Sequence, residues 1–174
     1  VLLDGNLKIK NINPKIIKTE IEILKKIGAD IKIKDTELII SRRNNINNIK
    51  ITTAPYPGFP TDLQAQLMVL LCKGKERSIM VEKIFENRFM HASELNRMGA
   101  KINILGNKAI IEGNVNFNSA ELMATDLRAS ASLILAALSA KGKSIINRIY
   151  HLDRGYENIE EKLKKVGAKI RRVS

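Results

Sequence analysis

Apolar and polar positions follow two different periods along this chain. Leu67-Met68-Val69-Leu70-Leu71-Cys72 and Leu133-Ile134-Leu135-Ala136-Ala137-Leu138 are apolar almost all round. Such runs predict helices buried on every side, over about 62–72 and 126–140. Thr61 and Thr125 are expected to cap them, with Asp62 and Asp126 at the first helical position. Ile159, Leu163 and Val166 instead share one face among Glu and Lys residues, which predicts a surface helix. Period-two strands are expected at 78–81 and 144–149, then at 100–105 and 109–112 around a Gly106-Asn107 turn.

These elements recur. Leu24 to Ile31, Leu95 to Ile102 and Leu163 to Ile170 share one pattern, an amphipathic stretch ending in Gly-Ala and followed by alternation. Gly28, Gly99 and Gly167 return about every seventy residues, the signature of a repeated structural unit. Lys-Gly-Lys precedes the second and third of them at the same distance, and Thr61-Asp62-Leu63 matches Thr125-Asp126-Leu127. Each glycine stands where a helix ends in a left-handed residue. The unit reads strand, buried helix, strand, surface helix, strand, strand. The expectation is one α/β domain over 1–174, with units at about 1–45, 46–115 and 116–174. Val1-Leu2-Leu3 is expected to be the last turn of the first unit's buried helix, and the last strand of the third unit to fall beyond Ser174. A start at Val rather than Met agrees with a piece of a longer chain.

Composition narrows the classes. The 174 residues are 44% hydrophobic, enough for one substantial core. A single cysteine, Cys72, excludes an internal disulfide or a cysteine zinc cage and fits a reducing cytoplasm. The longest nearly uncharged stretch, from Ala129 to Ala140, is too short to span a bilayer, so no membrane association is expected. The net charge of +12 favours anionic partners without naming them. Zinc-finger spacing and a Gly-rich phosphate loop are both lacking, so no metal, cofactor or nucleic acid is expected. His91 and His151 read as loop or surface residues, and Cys72 as buried and inert at a helix end.

Candidate chemistry lies where the repeats differ. Thr53 to Asp62 holds three of the four prolines, a stiff loop that delivers Asp62 to a helix start at small entropic cost. Phe85-Glu86-Asn87-Arg88-Phe89-Met90-His91 and Tyr150-His151-Leu152-Asp153-Arg154-Gly155-Tyr156 are the other two segments. Repeat symmetry pairs Arg88 with Arg154 and Asp62 with Asp126, gathering them with Arg128 at one end of the domain. Arginine forks bind carboxylate or phosphate through two parallel hydrogen bonds, and three of them suit a small polyanion. An aspartate held ionised at a helix N-terminus can accept a proton or orient a hydroxyl.

Ala54-Pro55-Tyr56-Pro57-Gly58-Phe59-Pro60-Thr61-Asp62, the segment from Phe85 to His91, Met123-Ala124-Thr125-Asp126-Leu127-Arg128-Ala129-Ser130 and Asp153-Arg154-Gly155-Tyr156-Glu157 closely resemble the enolpyruvyl transferases of the nucleotide-sugar branch. The resemblance covers essentially the whole chain. It implies an inverse α/β barrel, truncated at both ends, with three repeated β-α-β-α-β-β units, helices inside and sheets outside. It also implies transfer of the enolpyruvyl group of phosphoenolpyruvate to the 3-hydroxyl of UDP-N-acetylglucosamine, with release of phosphate, in peptidoglycan synthesis, and so a tie to cell shape and division. By that resemblance Asp62 binds the sugar hydroxyl and takes its proton. Arg88 and Arg128 hold the phosphoenolpyruvate carboxylate, Arg154 meets the phosphate, and Asp126 belongs to the same site. Ile84 and Phe85 belong to the segment whose backbone touches the acetylated sugar. The family's reactive cysteine lies in an N-terminal lobe and Cys72 does not match it, so this chain alone is expected to be inactive. The rival readings are an enolpyruvylshikimate phosphate synthase and a non-catalytic polyanion-binding module.

Overall fold

The computed structural model describes residues 1–3, 5–42 and 45–173. Its first sheet contains β1 (Asn6–Ile9), β2 (Ala29–Lys34) and β3 (Glu37–Arg42), with α1 (Lys18–Lys26) before β2. The second contains β4 (Lys50–Thr52), β5 (Ser78–Val81), β6 (Ile102–Leu105) and β7 (Lys108–Ile111), with α2 (Gln64–Cys72) and α3 (His91–Arg97) between its strands. The third pairs β8 (Glu121–Met123) with β9 (Ile145–Asn147) around α4 (Leu127–Ser139), followed by α5 (Ile159–Lys165).

The sheets are variations on one pattern. The second has the order β4-β5-β7-β6, with β4 parallel to β5 and the other pairs antiparallel. The first, β1-β3-β2, reproduces its last three strands, and the parallel pair β8-β9 reproduces its first two. Parallel neighbours need a crossover, and α2 and α4 supply it.

Every residue of α2 except Gln66 is buried, and α4 buries Ala129 to Ile134 and Ala136. The two helices pack on one another. Met68, Leu71, Leu95, Met98, Ile111, Phe117, Leu122 and Leu133 are fully buried in one continuous core. The sheets lie outside it and alternate, as in β7, where Ala109 and Ile111 point inward and Lys108 outward. The architecture is mixed α/β with helices inside, in line with the inverse barrel expected.

Four local expectations are corrected. Thr125 does not cap α4: Asp126 does so itself, its Oδ1 accepting from Arg128 N (2.8 Å) and Ala129 N (3.0 Å). Thr61 does not cap α2 either, because its hydroxyl donates to Glu82 and residues Thr61–Leu63 form a 3-10 turn. Val1 to Leu3 form no helical turn. Residues 168–173 form no strand, whereas β2 and β6, which follow the matching glycines, each pair with a hairpin neighbour among the described residues.

The Gly-Ala repeat has two physical causes. After α3 and α5 the chain closes a Schellman motif, with Ala100 N donating to Leu95 O (3.0 Å) and Ala168 N to Leu163 O (3.0 Å). Gly28, Gly99 and Gly167 have φ of 108°, 95° and 95°. Close approach adds to this at Gly28, where a Cβ would stand 2.3 Å from the Asn45 carbonyl oxygen, whereas at Gly167 it would meet open space. Gly167→Ala is therefore expected to cost only the left-handed strain, about 1 kcal/mol. Gly28→Ala must also displace backbone and should lose clearly more in a denaturant titration; equal losses would remove the close-approach argument.

Candidate functional site

The site lies where α2 and α4 begin. Because the two helices pack together, their N-terminal ends bring the 3-10 turn carrying Asp62 to the first turn of α4. Arg128 Nε donates to Asp62 Oδ1 at 2.6 Å, and its Nη2 donates to the same oxygen. Asp62 is largely exposed and Arg128 about one third exposed. This is a surface pair between two repeats rather than a buried bridge.

Beside it lies an open cavity of about 320 Å³, lined among others by Gln64, Glu86, Arg88, His91, Asp126 and Arg128. Arg88 reaches it from the segment before α3, with its guanidinium 4.1 Å from the centre of the Phe85 ring. A planar guanidinium on an aromatic face is held in orientation while its N–H edges stay available. Asp126 commits Oδ1 to capping α4, so that oxygen serves the helix. The cavity wall thus carries two guanidinium groups, and Asp62 occupies one of them.

Ile84 and Phe85 are held by their backbone. Both amides donate to Glu82 Oε1, at 2.8 Å and 3.3 Å. Thr53 and Thr61 donate their hydroxyls to the same carboxylate, each at 2.8 Å. The proline loop is tied down twice more, by Ala54 N donating to Phe59 O at 2.9 Å and by Thr19 Oγ1 donating to Pro57 O.

Of the sequence-derived residues Arg88, Asp126 and Arg128 line the cavity; Asp62 stands beside it through Arg128, Ile84 and Phe85 belong to the segment leading to Arg88, and Arg154 lies outside it. Arg154 ends the 3-10 turn Ile149–Arg154, exposed, between Asp153 and Tyr156. Asp153 receives two hydrogen bonds from Arg172, at 3.0 Å and 2.6 Å, and the Tyr156 hydroxyl accepts from Gln66 Nε2 at 3.1 Å. The neighbouring Gly155 packs against Leu127 at the start of α4, where a Cβ would lie 2.9 Å from Leu127 Cδ2. The loop therefore sits against the same helix end, and Arg154 is exposed outside the cavity lining.

Two of the residues that sequence reasoning passed over belong here. His91 reads in the sequence as a loop or surface residue, but it is the first residue of α3, buried in the cavity wall. Burial pushes its pKa down to about 4, against the opposing pull of Asp126. Glu82 follows an apolar strand and reads as a solvent-facing end. Period two gave the signal, since Ser78, Met80 and Glu82 share the buried face. Among the described residues no group of His, Cys, Asp and Glu could hold a metal ion. No described helix is long and apolar enough to cross a membrane. Cys72 is buried as expected, and burial pushes its thiol up to about 12 against the opposing pull of a backbone hydrogen bond and of Lys73.

His91 makes stability pH-dependent with a definite sign. Its folded pKa lies below the unfolded value, so the unfolded chain binds more protons between about pH 6.5 and pH 4 and stability falls as pH drops through that window. The expected loss attributable to His91 is on the order of 3 kcal/mol by pH 4. His91→Gln should flatten that limb in urea titrations at pH 7 and pH 4.5; an unchanged slope would mean His91 titrates normally.

The chain matches the EPSP synthase (3-phosphoshikimate 1-carboxyvinyltransferase) family over residues 1–163. It is 70% identical over 173 residues to a UDP-N-acetylglucosamine 1-carboxyvinyltransferase of Pelagibacter ubique (strain HTCC1062), covering 99% of this chain and 42% of that relative. It is 51% identical over 170 residues to the enzyme of the same name from Granulibacter bethesdensis, covering 98% of this chain and 40% of the relative. Among solved structures, the enolpyruvyl transferase NikO from Streptomyces tendae superposes with a TM-score of 0.88 at 28% identity, over 97% of this chain and 40% of that one. EPSP synthase from Acinetobacter baumannii shares the fold, with a TM-score of 0.74 at 20% identity over 98% of this chain and 43% of that one. The chain thus spans about two fifths of the length of the curated relatives it matches. Family match, high identity and superposition agree, and the chain belongs to the EPSP synthase family of enolpyruvyl transferases.

Proposed function

We propose that this chain is one lobe, built of three units at about 1–45, 46–115 and 116–174, of an enzyme that moves the enolpyruvyl group of phosphoenolpyruvate to the 3-hydroxyl of UDP-N-acetylglucosamine. Phosphate leaves, and the product feeds peptidoglycan synthesis in the cytoplasm, where a lone buried Cys72 stays reduced. The observation that carries this reading is the joining of Asp62 to Arg128 beside the cavity of Arg88 and Asp126, in a chain 70% identical to a transferase of that name.

In the free lobe the Asp62 carboxylate occupies the fork of Arg128, the position an anionic substrate group would take. Binding of the phosphoenolpyruvate carboxylate to Arg88 and Arg128 then frees Asp62 to accept the proton of the sugar hydroxyl as its oxygen bonds to C2 of phosphoenolpyruvate and the C3 methylene takes up a proton. The tetrahedral adduct then loses phosphate from C2 and a proton from C3, which restores the double bond. Arg154 answers the phosphate only if its loop turns toward the cavity on closure. The Ile84–Phe85 backbone meets the acetylated sugar. A second lobe, carrying the reactive cysteine, closes the other wall and excludes water.

Two measurements test this. The 174-residue chain mixed with both substrates should release no phosphate, while the full-length protein should turn over with UDP-N-acetylglucosamine as acceptor and not with shikimate phosphate. Turnover by the lobe alone would defeat the two-lobe reading. In the full-length protein Asp62→Ala should lower kcat by about 100-fold or more with little change in sugar-nucleotide affinity, because proton transfer acts in the transition state. Equal losses in both would make Asp62 a binding residue.

A further inference from the structure

Glu82 is 3% exposed, just past the end of β5, and it does not touch the cavity's arginines. Its side chain nevertheless ties both ends of the proline loop to the Ile84–Phe85 backbone. Oε1 accepts from Thr53 Oγ1 (2.8 Å), Ile84 N (2.8 Å) and Phe85 N (3.3 Å), and Oε2 accepts from Thr61 Oγ1 (2.8 Å). The hub is itself anchored. Glu82 N donates to Asn107 O at 2.9 Å, Asn107 Nδ2 donates back to Glu82 O at 3.1 Å, and Lys83 N donates to Thr53 Oγ1 at 2.9 Å. The β6–β7 turn thus holds the backbone while four O–H and N–H donors saturate the carboxylate.

A buried carboxylate is costly unless its lone pairs are filled, and bonds to an ionised acceptor are shorter and stronger than neutral ones. An apolar residue would leave two hydroxyl and two amide donors without their acceptor. The groups so fixed are not arbitrary: Thr61 precedes Asp62, and Ile84 and Phe85 lead into Arg88, whose guanidinium rests on the Phe85 ring.

We propose that Glu82 is the positioning residue for the sugar nucleotide, setting the separation between Asp62 and the Ile84–Phe85 backbone while touching neither substrate. The assignment rests on the roles proposed above for Asp62 and for the Ile84–Phe85 segment. Arg128 is anchored by α4 and so lies outside this device.

The test is steady-state kinetics of the full-length protein with Glu82→Ala, Glu82→Gln and Asp62→Ala, each first shown to be folded by circular dichroism. A displacement of about 1 Å between reacting groups is worth on the order of 100-fold in rate. Glu82→Ala should therefore lose about that much in kcat and raise the KM for UDP-N-acetylglucosamine roughly tenfold, with the phosphoenolpyruvate KM within about threefold. Glu82→Gln should restore kcat to within about tenfold, since its oxygen can keep the Oε1 bonds while its amide donates to Thr61 Oγ1. A folded Glu82→Ala enzyme with unchanged constants overturns the proposal, as does a Glu82→Gln enzyme as impaired as Glu82→Ala. Full activity in Asp62→Ala would instead overturn the underlying functional reading. If Glu82→Ala does not fold, Thr53→Val decides: it removes one donor from the hub and should lower sugar-nucleotide kcat/KM several-fold, and an unaltered value overturns the proposal.

Discussion

The packing of α2 against α4 is the constraint from which the rest follows. Both helices are apolar on nearly every side, so neither can lie at a surface, and each is satisfied only with the other and with sheets around it. Burying them side by side fixes where their N-terminal ends stand. Those ends carry Asp62 with Gln64 and Asp126 with Arg128, so the interior packing of two greasy helices determines the meeting of charged groups at the rim.

The rim is built on a division of labour. Asp126 spends an oxygen on capping α4, which anchors the Arg128 backbone. Asp62 is left exposed and paired with the partly exposed guanidinium of Arg128, a contact worth little in stability and open to exchange for a ligand's carboxylate. Below the rim, Glu82 ties the proline loop to the segment leading to Arg88 through buried bonds that are costly to break. Exchangeable contacts lie at the solvent edge and rigid ones beneath it, an arrangement suited to binding anions without collapsing around its own charges.

Repetition explains how such a site arises from plain elements. The first sheet repeats three strands of the second and the third repeats two, while the Gly-Ala turns close successive helices in the same way. Symmetry breaks where chemistry is added. The proline loop, the Arg88 segment and the loop at Arg154 are the stretches in which the units diverge, and all three border the α2 and α4 ends.

Much of this is decided by local chemistry and is therefore readable in the residues. Apolar runs too uniform for a surface must be interior helices, and a glycine that ends each amphipathic helix must be left-handed, because both follow from side-chain solvation and backbone sterics within a few residues. Motif resemblance adds Asp62, Arg88, Asp126 and Arg128, which the fold does bring together. What lay beyond local reading depends on partners far away in sequence. Glu82 looks like the polar end of a strand until Thr53, Thr61 and the Ile84 and Phe85 amides surround it, and His91 looks like a loop residue until the start of α4 covers it. Arg154 has the matching repeat position yet stands outside the cavity, since Asp153, Gly155 and Tyr156 are each held by groups from other segments. Periodicity specifies which face of an element is buried; only the packed chain specifies against what, and a buried charge takes its role from its neighbours.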